Sequence, residues 1–407
     1  MQKPSKRQIR VFASLFQWRA RARGFLPPAR LVLSSSFVAG AAPGAAGAAR
    51  ARHTHARKGG SGLAKLKLRE AASYADVQVV GLPRALMYYR YGALWTAFFE
   101  ALGREVVLSR PTDRAIAERG SALANDECCL ASKIYLGHVD ELRGRCDGVF
   151  VPSLANVGQH RSFCTKFQAL PDLVSNTFEE GELRVVSCLV NQKKRPAMDE
   201  AFEGLALQFG ASPKEAKRAW KEASKAQERV ERDAAAAQAQ ALEDIEAARR
   251  AAEAPADAAA GKAPEPPLAI LLAAHPYVAR DPYLGGVIVD LLEQMGATVL
   301  FSDETDRRRA FKASEDFSET MPWIVNREIV GSIMMLGPQV DGIVLVSAFP
   351  CGPDSMTDDA IVRCMQGKPI LNLTVDAQSG TAGLETRIES FVDILRYQQK
   401  GGYVHVA

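Results

Sequence analysis

Short β-rich apolar runs alternate with segments of helical period in two separate stretches of the chain, and that alternation leaves few folds open. "DVQVVGLP" (76–83) precedes "RALMYYRYGALWTAFFEALG", whose apolar residues fall at helical spacing and stop at Gly103; the strand "REVVLS" follows. A helix around 113–122, another through "ANDECCLASKIYLGHVDEL" (124–142), the strand "CDGVFVPS" (146–153) and a loop containing "FCTKFQALPDLV" complete the first stretch. From residue 267 the alternation resumes with "LAILLAAHPY", "YLGGVIVDLLEQMG", "ATVLFSD", "WIVNREIVGSIMML", "VDGIVLVSAFPCGPDS", "KPILNLTVD" and "LETRIESFVDILRYQQ". Strands that alternate with helices are covered on both faces and pair in parallel, so the expected class is α/β, with two Rossmann-like parallel-sheet units.

Between the two stretches, residues 193–266 change character. "AFEGLALQFGASPKEAKRAWKEASKAQERVERDAAAAQAQALEDIEAARRAAEA" has the Ala, Glu, Lys and Arg composition of long exposed helices, and prolines in "PADAAAGKAPEPP" break it. A long helical connector is expected here, with a docking surface for a partner helix as the alternative. The chain thus divides into a basic extension (1–72), an N-terminal α/β unit (73–192), the connector (193–266) and a C-terminal α/β unit (267–400).

The net charge of +4 is unevenly spread: fifteen of the 51 Lys and Arg lie in residues 1–69, which hold no acid, so residues 70–407 carry 36 basic and 47 acidic groups, a net −11. A mildly acidic body lacks the clustered positive charge that nucleic acid requires, so no nucleic-acid partner is expected. No uninterrupted apolar run of about 18 residues follows residue 70, so no membrane partner is expected and the cytoplasm is the expected location. The extension has no sustained period and reads as disordered; its Arg-rich, acid-poor character also admits a targeting segment.

Seven cysteines, at 128, 129, 146, 164, 188, 351 and 364, are an odd number at no disulfide-scaffold spacing, so free thiols in a reducing compartment are the default. Three of them stand where chemistry could use them. Cys351 follows the buried-looking run "GIVLVSAF" in a turn stiffened by Pro350 and Pro353, with Gly352 permitting close backbone approach. Cys164 follows "GVFVPS" in a similar way, and Cys129 begins a helix, where peptide dipoles favour a thiolate. Open α/β sheets bind ligands just beyond strand carboxyl ends, so Cys129, Cys164 and Cys351 suggest a common cleft between the units. Three uses of such thiols stay open: a shared metal or iron–sulfur site, inert buried thiols, or a redox thiol pair. Adjacent helical side chains diverge by about 100°, so only one of Cys128 and Cys129 can face the cleft. Cys146, Cys188 and Cys364 sit among apolar neighbours and read as core. His138 reads as a packed histidine, while His275, just after the first strand of the second unit, has a functional option. Zinc lacks the support of a Cys-x-x-Cys pair, and with neither a Walker lysine loop nor a dinucleotide glycine fingerprint in the chain, ATP handling is assigned to another protein.

Six segments in order, "VVGLPRALMYYRYGALWTAFFEALGREVVLSRPT", "DECCLASKIYLGHVDEL", "FCTKFQALPDLV", "AAHPYVARDPY", "SAFPCGPDSMTDD" and "DAQSGTAGLETRIESFVDIL", together resemble the acyl-CoA dehydratase activase-related proteins of the DUF2229 type. These are relatives of 2-hydroxyacyl-CoA dehydratase subunits and of double-cubane cluster proteins, and the resemblance covers roughly 76–192 and 267–400. The family's Asp-Glu-x-Cys with a lysine four residues later falls on Asp126, Glu127, Cys129 and Lys133, which favours Cys129 over Cys128. Its Cys-x-Lys-Phe element falls on Cys164 and its Phe-x-Cys-Gly-Pro-Asp-Ser element on Cys351.

The resemblance implies that Cys129, Cys164 and Cys351 hold an iron–sulfur cluster, 4Fe-4S or double-cubane in type, in an oxygen-sensitive protein. It further implies that a separate ATP-dependent activase supplies a very low-potential electron, with a CoA thioester as substrate and a dimer as the assembly. In the dehydratase relatives that electron makes a ketyl radical from the thioester and allows loss of a 2-hydroxyl group, an open iron binding the leaving oxygen; a lyase or reductase component is the matching enzyme class. A non-catalytic accessory protein that docks to an activase through the connector is the expectation from a different class. The last motif departs from the family: Asp376, Ala377, Gln378 and then Gly380, Thr381, Ala382 stand where relatives carry Asp-Glu-His and Gly-Glu-Ala, and Ala131 replaces a proline. Losing the acid and the histidine weighs against an acid/base role at that loop more than against cluster binding.

Overall fold

The computed structural model describes residues 73–159, 161–179, 181–192, 198–253, 266–377 and 381–399; the basic extension lies outside the described residues. The first half begins with β1 (Val79–Leu82), α1 (Tyr88–Ala101) and β2 (Glu105–Leu108). In α1 the residues Tyr91, Leu94, Trp95, Phe98 and Phe99 recur at i, i+3, i+4, i+7 and i+8, and all are buried. α2 (Arg114–Leu123) and α3 (Leu130–Glu141) lead to β3 (Gly148–Phe150), then β4 (Ser153–Val157), α4 (Thr165–Gln168), α5 (Leu170–Thr177), β5 (Val185–Val186) and β6 (Leu189–Gln192). Edge-to-face contacts of Trp95 with Phe150 (5.3 Å) and Phe98 with Phe202 (5.0 Å) fill the space beneath the sheet.

α6 (Asp199–Gln208) and α7 (Pro213–Glu253) follow, and the second half contains β7 (Leu268–Ala274), α8 (Pro276–Ala279), a π turn (Pro282–Gly286), α9 (Val287–Gln294), β8 (Ala297–Phe301), α10 (Arg307–Ala313), α11 (Ile324–Leu336), β9 (Gly342–Ala348), α12 (Gly352–Cys364), β10 (Ile370–Val375) and α13 (Thr381–Gln399). Both principal sheets are wholly parallel and repeat one order, β2-β1-β3-β5 and β8-β7-β9-β10; β4 and β6 form a separate parallel pair. Every residue of the central strands β7 and β9 is buried, as parallel strands covered on both faces require. In each half the chain moves from its first strand to one neighbour and then returns to the other side. This creates a switch point between β1 and β3 and another between β7 and β9.

Local boundaries differ from the sequence expectation, most tellingly at two of the cysteines, and β4, β5 and β6 were not expected. The helix expected over 124–142 starts only at Leu130, because Cys129 is extended (φ −64°, ψ 152°). The expected loop "FCTKFQALPDLV" instead forms α4 and α5, with Pro171 and Asp172 in the first turn of α5, where a missing N–H and a negative charge are both favourable. Sequence reading also missed the crossing of α2 and α3, where a Cβ at Gly120 would meet the carbonyl of Lys133 and one at Gly137 that of Ile116.

At 41 residues, α7 is about 60 Å long. Ala216, Ala219, Ala223 and Gln227 form a buried stripe three or four residues apart. Gln227 donates to the Arg90 carbonyl (2.8 Å) and accepts from the Leu94 amide (3.2 Å), both in α1. Farther along, Gln238 accepts from the Phe301 amide (2.7 Å) and Arg249 pairs with Asp341 (2.5 Å). The connector is therefore bonded to both halves.

Buried polar groups join the halves directly. Arg90 makes a two-pronged ion pair with Glu328, its Nη2 lying 2.8 Å from Oε1, and both side chains are almost fully enclosed. Asp281 accepts from Thr112 Oγ1 and from Tyr89 (3.3 Å). Because Thr112 spends its proton on Asp281, it accepts from His138 Nε2 (2.9 Å), leaving Nδ1 to accept from Ser109 (2.8 Å). His138 is thus the packed, satisfied histidine that the sequence suggested, and it is neutral.

Glu328→Gln strands a buried guanidinium, and urea unfolding is expected to show a loss of about 3–5 kcal/mol, much of it recovered in the double variant Arg90→Met/Glu328→Leu. Burial, and next the charge of Arg84, lower the His138 pKa from 6.5 to about 4. Since the unfolded imidazole titrates near 6.5, its contribution is full above that pH and falls as pH drops toward 4, by about 3 kcal/mol in all. Unfolding titrations at pH 7, 5.5 and 4.5 should show a smaller loss in His138→Gln than in the natural protein.

Candidate metal centre

The two switch points face each other across a cleft that Cys129, Cys164 and Cys351 all line. Each is the residue immediately before a helix: Cys129 before α3, Cys164 before α4 and Cys351 before α12. None spends its side chain on capping that helix, and all three thiols are free.

A reciprocal pair of main-chain bonds sets this arrangement. The Leu130 amide, first in α3, donates to the Phe349 carbonyl (2.8 Å), two residues before Cys351. The Ile324 amide, first in α11, donates to the Ser162 carbonyl (2.9 Å), two residues before Cys164. Cys351 follows β9 directly and Cys164 follows β4, the strand after β3; each stands two residues beyond the carbonyl that receives the other half's helix start. Cys129 and Trp323 hold equivalent places before the helix leading into the third strand of each half, and Trp323 also lines the cleft. The equivalence extends to Ser132 and Asn326, each three residues on and each on the cleft wall.

On the second half's wall, His275 Nδ1 lies 3.0 Å from Asp354 Oδ2, and Asn326 donates to Asp354 Oδ1 (2.9 Å) and to Thr357 (3.0 Å). One ring nitrogen of His275, Cys351 Sγ and a carboxylate oxygen of Asp354 lie within 4.8 Å of one another. Burial opposes charge on His275, but Asp354, together with Asp358 and Asn326, outweighs it and raises the imidazole above its ordinary value. Burial, followed by Asp354, raises Asp358 to about 7. Burial also pushes up the Cys164 and Cys351 thiols, overriding the helix-start effect that would favour thiolates. Lys166 rims the cleft and donates to the Glu127 carbonyl (3.0 Å).

Cys128 is buried beside the cleft but does not line it, in keeping with a single site-facing residue of that pair. Cys146 and Cys188 are half-buried, the Cys188 thiol being pushed up to about 12 by burial. Cys364 corrects the core reading: it is exposed, because the final turn of α12 runs out into solvent. Lys133, Asp376 and Ala377 do not line the cleft. Gln378 and Gly380 lie outside the described residues, as do the side chains of Thr381 and Ala382. Asn326, Tyr277 and Trp323 escaped the sequence reading, and Asp354, the Asp of the Phe-x-Cys-Gly-Pro-Asp-Ser element, was given no role there. The pair Asp354 and Asp358, four apart at the head of a helix, was the available signal for the first.

Residues 79–304, more than half of the chain, match the family described as CoA enzyme activase uncharacterised domain (DUF2229). The chain belongs to that family. No curated protein matches it significantly. Within the family region lie Cys129, Cys164 and His275, whereas Trp323, Cys351 and Asp354 fall beyond its end. Activase-related ancestry therefore covers the first half, α7 and the first two strands of the second half. Among the described residues no helix is long and apolar enough to cross a membrane.

Asn326→Leu removes a donor from a buried carboxylate, and urea unfolding should register a loss of about 1–3 kcal/mol.

Proposed function

We propose that this activase-related protein is the iron–sulfur component of a reductive system of the 2-hydroxyacyl-CoA dehydratase type, with Cys129, Cys164 and Cys351 holding a 4Fe-4S or double-cubane cluster. The observation that supports this most is the convergence of three thiols, distant in sequence and drawn from both halves, on one cleft. The donor set fits such a group: thiolates are soft ligands that select iron–sulfur clusters or zinc over magnesium or calcium, and none of the three is in a disulfide. When bound, the cluster supplies a low-potential electron and an iron position for a substrate oxygen.

The chain's own residues do the rest. Cys164 and Cys351 must release their protons on loading, which makes uptake pH-dependent. Phe167, Tyr277 and Trp323 wall the cleft with aromatic surface and keep water from it. Reduction of a thioester carbonyl lies below ordinary ferredoxin potentials, so a separate ATP-dependent activase is the proposed electron source and a CoA thioester the proposed substrate. A cytoplasmic dimer completes the reading.

Protein purified or reconstituted without oxygen should be brown, hold several irons and sulfides per chain, and give a cluster signal by electron paramagnetic resonance after reduction. Cys129→Ser, Cys164→Ser and Cys351→Ser should each cut retained iron by about tenfold or more, while Cys146→Ser, Cys188→Ser and Cys364→Ser leave it unchanged. A colourless, iron-free wild type under these conditions rules the reading out.

A further inference from the structure

We infer that the Ser132 hydroxyl donates a hydrogen bond to the Cys129 sulfur and thereby raises the reduction potential of the centre, acting on a ligand and leaving the open iron position free. This rests on the iron–sulfur reading above and names a residue that tunes it. The Ser132 oxygen lies 3.2 Å from Cys129 Sγ, and both residues line the cleft. Their spacing explains the contact: Cys129 stands immediately before α3 and Ser132 is the third residue of that helix, two places whose side chains meet across a first helical turn. Cys129 is extended and caps nothing with its sulfur, while the Ser132 amide already donates to the Cys129 carbonyl (2.9 Å). The hydroxyl is what Ser132 has left to give.

Ser132 is only 3% exposed, and among the described residues the Cys129 sulfur is the one partner of its hydroxyl. With both groups protonated, either can give the proton. A thiolate on iron has none, so loading makes the serine the donor and the sulfur the acceptor. Reduction adds negative charge to the centre, and a donor aimed at one of its sulfurs favours the reduced state, most strongly where water is excluded. Ser132 therefore eases entry of the electron. The arrangement is particular to Cys129. At Cys164 burial raises the thiol and the main-chain N–H of Lys166 opposes it; at Cys351 burial and the Asp354 carboxylate raise the thiol and the Asp354 N–H opposes them. Those donors belong to the backbone, whereas the one at Cys129 is a side chain that a substitution removes. Asn326, at the equivalent place in the second half, follows Trp323 in place of a sulfur and gives its protons to Asp354 and Thr357. The other serine on the cleft wall, Ser162, spends its hydroxyl proton on Asn156 (2.6 Å).

The test compares full-length wild type, Ser132→Ala, Ser132→Thr and Ser162→Ala, each loaded with iron and sulfide without oxygen and titrated to its midpoint potential. Ser132→Ala should keep the wild-type iron content and shift its midpoint potential downward. In heavy water it should also lose one exchangeable-deuteron coupling from the electron–nuclear double resonance spectrum of the reduced centre. Ser132→Thr keeps the donor and should return both readouts toward the wild type, while Ser162→Ala leaves both unchanged. An iron-loaded Ser132→Ala with an unchanged or raised potential, or with every deuteron coupling intact, overturns the role of Ser132 and leaves the three-thiol reading standing. Loss of iron from a folded Ser132→Ala overturns it too, since a donor to sulfur is not needed to hold iron. A wild type that takes up no iron overturns both readings. If Ser132→Ala fails to fold, Ser132→Gly is judged by the same criteria.

Discussion

Two main-chain hydrogen bonds, Leu130 to Phe349 and Ile324 to Ser162, hold the first turn of a helix in each half against the turn that carries the other half's cysteine. Everything at the cleft depends on them, because a donor set divided between two sheets has its geometry only when the sheets are held in register with each other. Ligand constellations tolerate displacements of about 0.5 Å, less than loose packing of two halves would allow. Reciprocal main-chain bonds repeat one contact twice, as an isologous interface does, and so fix rotation as well as separation.

Around those bonds the interface is made costly to open. Arg90 and Glu328 are buried, and either one alone would be an uncompensated charge in the interior. Asp281, Thr112, His138, Ser109 and Tyr89 form a buried chain in which each hydroxyl has a defined direction. α7 lies against both halves, its alanine stripe permitting close approach to α1 and its Gln238 and Arg249 reaching the second half. The result is a cleft set by the interface as a whole, with no single loop responsible for its width.

Within the cleft, low polarity and helix starts act in opposite directions. Burial disfavours thiolates at Cys164 and Cys351 and raises Asp358 and Tyr277 as well. A cation inverts this balance, since its charge stabilises each thiolate in a medium that otherwise penalises it. The same enclosure that disfavours the thiolates of Cys164 and Cys351 would strengthen their hold on the proposed metal.

Much of the architecture was legible in the sequence because it is local. The α1 stripe, the apolar runs of β7 and β9 and the Ala-rich length of α7 each follow from a period or a composition. So does the rule that only one of Cys128 and Cys129 faces the cleft, since two adjacent side chains cannot face one direction; the preference for Cys129 came from the family resemblance. Cys364 was misjudged because apolar neighbours along a helix do not say which turn reaches solvent. The roles of Asp354, Asn326 and Trp323, the glycine crossing of α2 and α3 and the Arg90–Glu328 pair were hidden, since each depends on a partner at least 13 residues away and usually in another element. Sequence by itself determined two parallel α/β halves, a helical connector and which thiols stand beyond strand ends. Only the tertiary structure decided that these ends face one another, because the order of strands and the contact between sheets are set by interactions that no local period encodes.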